Sequence, residues 1–123
     1  MQAADLAKNC VEIGKKYTKQ ASVTVSVGGF VPKPFTPFQW FGQNTIEELQ
    51  RKINLLKDAT NRSRGVQLKW HDPKATLIEG VLSRGDRALS PLIEEVWRSG
   101  GTFQEWSEHF DLDRWLSSMD KLN

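Results

Sequence analysis

Val23, Val25 and Val27 alternate with Ser22, Thr24 and Ser26, a period-two, β-branched pattern that predicts a strand over 22–27. A second short alternation, Val66, Leu68 and Trp70 on one face, predicts a strand over 66–70. The rest of the pattern is helical. Ala3, Leu6, Ala7, Cys10, Ile13 and Tyr17 recur at spacings of three and four, giving a helix over 3–18 with one apolar stripe. Ile46, Leu49, Ile53 and Leu56 line a helix over 46–60, which opens on a capping box of Thr45 with Glu48. Strand, crossover helix and strand make a βαβ unit, so the two strands are expected to be parallel, with both faces of their sheet needing cover.

After the second strand, Asp72 is the expected cap of a helix whose first position is Pro73. Leu77, Ile78, Val81 and Leu82 carry it to Arg84, and Gly85 stops it. Asp86 or Ser90 opens the next helix, where Pro91 fits just inside a Ser90 cap and Leu89, Leu92, Ile93, Val96 and Trp97 form the stripe. Gly100 and Gly101 end it. Thr102 with Glu105 is a second capping box, opening a short turn. Asp111 starts a last helix with Leu112, Trp115, Leu116 and Met119 inward. The fold class is therefore α/β: residues 1–73 form the end of a parallel core and 74–123 a helical extension.

Between the first strand and the second helix runs GGFVPKPFTPFQW, residues 28–40. Gly28 and Gly29 stop the strand. Pro32, Pro34 and Pro37 then lack amide hydrogens and fix their own φ, so the segment runs extended. Phe30, Phe35, Phe38 and Trp40 are interleaved with them. Such a pre-ordered aromatic loop either packs over a core or frames a pocket.

The chain has 123 residues, enough for one modest core, with 38% hydrophobic and 26% charged residues. No apolar run reaches the roughly 20 residues that span a bilayer, and no basic-then-apolar leader opens the sequence. One cysteine, Cys10, excludes an internal disulfide and a cysteine-rich zinc site, so a reducing cytoplasm is the expected compartment. Cys10 itself reads as a small core residue on the first helix. Charge is uneven: residues 1–74 hold twelve Lys or Arg against six Asp or Glu, and residues 75–123 hold five against nine. The basic turn Asn61-Arg62-Ser63-Arg64-Gly65 is suited to phosphate, or is simply a solvated turn.

Two polar groups invite chemistry. His71-Asp72 sits where a parallel strand ends, a position at which active sites gather in barrels. His71 there serves as an acid or base, or Asp72 is only a cap with His71 beside it. Glu105, Glu108, His109, Asp111 and Asp113 cluster near the C-terminus, with Glu105 and His109 spaced to share a helix face. A metal site needs three or four convergent ligands, and no second motif supplies them. No nucleophile elbow, phosphate-binding glycine loop or zinc-protease helix is present.

Three runs, VSVGGFVPKPFTPFQWFGQ, VQLKWHDPKATLIEGVLSRGDR and FQEWSEHFDLDRW, resemble the last strands and C-terminal extension of radical S-adenosylmethionine proteins of the type that carries a cobalamin-binding domain. The resemblance implies a partial (β/α) barrel whose strand ends face cofactor and substrate. It places Gly28, Gly29, Lys33, Thr36, Gln39, His71 and Asp72 as candidates at that mouth. It also implies S-adenosylmethionine and a [4Fe-4S] cluster for the family, but the defining CxxxCxxC run is absent. This chain alone is thus expected to hold neither the cluster nor activity. Its expected partner is the rest of such a core, on other sequence or another chain, or a second copy of itself. The alternative reading is a small protein- or RNA-interaction module using the aromatic loop and basic turn; a third is a remnant without activity.

Overall fold

The computed structural model describes residues 2–122. The chain is α/β: a two-stranded parallel sheet followed by C-terminal helices. In order it forms α1 (Gln2–Lys15), β1 (Val23–Val27), α2 (Ile46–Thr60), β2 (Val66–Trp70), α3 (Pro73–Arg84), a 3-10 turn (Arg87–Leu89), α4 (Ser90–Arg98) and α5 (Leu112–Leu122). The strands pair from Val23↔Val66 to Val27↔Trp70. Two compact units emerge. One comprises the residues through Gly29 together with Glu47–His71; the other comprises Phe30–Ile46 together with the residues from Asp72 onward.

In the first unit α1 packs on both strands. It does so through Ala4, Ala7 and Val11, which are buried. The expected stripe is thus offset. Leu6, Ile13 and Tyr17 are exposed, as is Cys10, so the reading of Cys10 as a core residue is corrected. Near its end the helix approaches the connection to β1 closely: a Cβ placed on Gly14 would lie 2.9 Å from the Ala21 Cβ. The helix also ends at Lys15, short of residue 18. Along the strands the valines and Leu68 are half-buried, while Thr24, Ser26, Gln67 and Lys69 are exposed. Trp70, expected inward with Val66 and Leu68, is exposed beneath the Lys57 ammonium, 4.1 Å from its ring centroid.

On α2, Glu48 takes two hydrogen bonds from Arg51, at 2.7 and 2.8 Å. These bonds, with a further contribution from Lys52, pull the Glu48 carboxyl from its ordinary 4.5 down to about 2.

The second unit holds the largest core, made by Ile78, Leu92, Val96 and Trp115, with Leu89, Phe110, Leu112 and Met119 packed around it. Here α5 packs on α3 and α4. The Trp115 indole, 5% exposed, donates to the Gln104 Oε1 at 3.1 Å. The same oxygen accepts from the Asp111 amide at 3.2 Å, and the Gln104 Nε2 donates to the His109 carbonyl at 2.6 Å. One side chain therefore closes the loop before α5, in place of the expected capping pair of Thr102 and Glu105. Further expectations shift: Leu82 and Ile93, expected on the inward stripes of α3 and α4, are exposed. Ser90 is the first residue of α4 and not its side-chain cap. Trp97 is 63% exposed. Leu116 lies outward, and Ser118 takes an inward position.

Truncating Trp115 to Ala should destabilise the protein by about 3–5 kcal/mol, as loss of a buried aromatic does. Trp97→Ala should cost less than about 1 kcal/mol, as exposed positions do. Urea titrations followed by far-UV circular dichroism separate the two. A second outcome concerns pH. Because the folded Glu48 carboxyl is depressed, its stabilisation is complete above about 4.5 and fades as pH falls toward about 2. Glu48→Gln should therefore lower the melting temperature slightly at neutral pH, flatten its fall over that window, and leave it nearly unchanged near pH 2.

Candidate functional site

The first unit gathers three of the sequence-derived candidates. Gly28 and Gly29 follow β1 and His71 follows β2, so all three lie at the carboxyl end of the parallel pair. The His71 amide continues the ladder, donating to the Val27 carbonyl at 3.0 Å. Its imidazole is exposed and has no hydrogen-bond partner among the described residues. A Cβ on Gly28 would meet nothing within 4 Å, so packing in this unit does not require glycine there.

The other four candidates belong to the second unit, and each has a local partner. The Lys33 Nζ donates to the Glu79 Oε1 at 2.6 Å and the Ser83 Oγ at 2.7 Å, tying the proline loop to α3. The Thr36 hydroxyl donates to the Lys33 carbonyl at 2.8 Å, and the Gln39 Oε1 accepts from the Phe35 amide at 3.1 Å. Asp72 caps α3: its Oδ1 accepts from the Lys74 amide at 2.9 Å, with Pro73 in the first turn. These bonds hold backbone in place.

The loop buries its aliphatic residues and shows its rings. Val31 and Pro32 are buried, whereas Phe30, Phe35, Phe38, Trp40 and Phe41 are exposed. Phe38 meets Phe30 and Phe41 edge-on, with centroids 6.3 and 5.4 Å away. Phe35 is the extreme case: 99% exposed and held at φ 60°, a conformation that a bulky residue adopts only when its neighbours impose it. The Gln39 bond to its amide is one such constraint. The aromatic surface expected to be withdrawn from water is thus largely presented to it.

The acidic cluster near the C-terminus makes no metal-ligand set: among the described residues no three His, Cys, Asp or Glu side chains converge. The His109 ring instead lies against Phe103 and Trp106, with centroids 6.0 and 6.4 Å away. The donor chemistry of the chain likewise does not fit an iron–sulfur cluster. It offers one thiol, and such clusters need several.

Two grooves flank β2 in the first unit. One lies beside the end of α2, lined by Lys57, Asp58, Asn61, Leu68 and Trp70. The other lies between α1 and the turn before β2, lined by Lys8, Val11, Glu12, Lys15, Arg62 and Arg64 among others. Sequence reasoning singled out the two arginines and missed the lysines that meet them. The signal was present in the seven-residue spacing of Lys8 and Lys15, which puts both on one helix face. No family model matches the chain, and neither a curated protein nor a solved structure does.

Replacing Asp72 by Ala should destabilise by about 0.5–2 kcal/mol through loss of the cap. His71→Ala should stay within about 0.5 kcal/mol. Chemical denaturation of both variants checks the contrast, and comparable losses would mean that the imidazole also holds structure.

Proposed function

We propose that this chain is the closing segment of a larger parallel (β/α) core of the radical S-adenosylmethionine type, forming part of a pocket wall but not holding the iron–sulfur cluster. The observation that carries the reading is the open state of the sheet. Each strand of the parallel pair has one unpaired edge, and two strands alone are marginal in water. Its apolar face is covered by α1, and its other face, Thr24, Ser26, Gln67 and Lys69, is polar and exposed. In the proposed core the α1-covered face would lie outside, and the polar face would turn inward toward cofactor and substrate. The exposed stripe of Leu6, Cys10 and Ile13 on α1, with Tyr17 just past its end, is a surface for the next element of such a core. The family assignment rests on the three resembling runs. In that reading, Gly28, Gly29 and His71 stand at the lumen end of the wall, and the thiolates and the cofactor chemistry come from other polypeptide.

A second reading, a small protein-interaction module, is favoured by the five exposed rings of the proline loop. The two readings diverge in what covers the open surfaces. If the segment completes a core, its mass by light scattering should rise with concentration as copies cover one another, and Leu6→Lys with Ile13→Lys should suppress the rise. A constant monomeric mass over a hundredfold range would refute the core-segment reading. Anaerobic reconstitution with iron and sulfide should leave the chain without a stoichiometric cluster. A full cluster on this chain would overturn the proposed division of labour.

A further inference from the structure

Folding of the first unit brings four cations together from opposite ends of its sequence. Lys8 and Lys15 stand on α1, and Arg62 and Arg64 on the turn before β2, lining one groove of about 390 Å³. Only one carboxylate, Glu12, shares the groove. Among the described residues none of the four forms an ion pair. The unit as a whole carries ten Lys or Arg against five Asp or Glu.

The convergence is built into the backbone. Gly65 follows the arginines at φ 90°, and a Cβ there would lie 3.0 Å from both the Val11 Cγ1 and the Ala21 carbonyl oxygen. Only glycine lets the turn sit this close to α1. The Lys15 Nζ also reaches the Arg64 carbonyl, at 3.4 Å. Like charges held side by side raise the energy of the unliganded fold, and a bound anion relieves this.

From this geometry we infer that the groove binds the phosphodiester backbone of a single-stranded nucleic acid. The shape of the charge favours an extended polyanion over one compact phosphate group. Lys8 and Lys15 are seven residues apart, about 10 Å along the helix, so the positive charge is spread along the groove and not gathered at one point. Each faces an arginine-bearing turn whose guanidinium groups suit phosphate oxygens. A strand laid along the groove would pass between lysines on one wall and arginines on the other. The inference stands independently of the core-segment reading, because it uses only α1 and the turn.

The test is fluorescence anisotropy of the full chain with a labelled single-stranded RNA of about ten nucleotides, at 50 and 200 mM salt. Binding should be micromolar at low salt and weaken steeply with salt. Arg62→Ala with Arg64→Ala, and separately Lys8→Gln with Lys15→Gln, should each weaken it at least tenfold and lower the salt slope by about one to two. Lys69→Ala, an exposed cation outside the groove, should change affinity less than threefold. Circular dichroism confirms that each variant is folded; were the lysine pair to unfold, the exposed arginine pair would decide alone. No binding at 50 mM salt, or equal losses in the groove variants and Lys69→Ala, would overturn the proposal. Pyrophosphate competing as tightly as the oligonucleotide would also overturn it, by assigning the groove to a small phosphate ligand.

Discussion

The parallel pairing of β1 with β2 is the constraint on which the first unit depends. Parallel neighbours cannot be joined by a tight turn, so the chain must leave the sheet and return through a long crossover. Here the crossover contains α2 and also the proline loop, which leaves the first unit after Gly29 and belongs to the second. The ladder is extended by one bond at the exit, His71 to Val27, and by one at the entrance, Val23 to Gly65 at 2.7 Å. That entrance bond places the Arg62–Gly65 turn beside α1, so the register of five residue pairs also sets where the cationic groove forms.

Much of this was legible in the residues, and the parts that were share a cause. Period-two alternation marked both strands, and Pro73 behind Asp72 marked a helix start; each is a local effect that needs no partner. Most of the failures concern which side of an element turns inward, which a partner decides; the others are caps and a helix end, at Ser90, at Thr102 with Glu105, and at Lys15. The expected stripe held Leu6, Ile13 and Tyr17 together with Ala7, yet of these only Ala7 is buried, beside Ala4 and Val11. A strand that packs closely selects small side chains, whatever the apolar content of the opposite face. Trp70, Trp97 and Trp115 were all read as inward from periodicity, and of the three only Trp115, whose indole nitrogen finds Gln104, is buried. Size alone ranks the tryptophans equally; the available hydrogen-bond partner separates them.

The candidate residues divide in the same way. Asp72 was readable as a cap because capping is local. Lys33 was readable only as a cation, since Glu79 and Ser83, its partners, lie some fifty residues on. The groove required two segments to be brought together, and sequence offered the arginines and the lysines separately. The aromatic loop posed a different problem. Proline stiffness was evident, but the direction of the rings depended on Val31 and Pro32 taking the inward positions.

The burial of one tryptophan among five has an optical consequence. Trp40, Trp70, Trp97 and Trp106 are exposed, and Trp115 alone is enclosed. Emission from the native chain is therefore a sum of four red, collisionally quenchable contributions and one blue, shielded contribution. Iodide, which reaches only the first kind, would leave Trp115 as the residual light. Without any substitution, that residual reports on the second unit's core, while the quenched fraction reports on both units' surfaces. The molecule thus carries its own pair of distinguishable lamps, one for packing and one for contact.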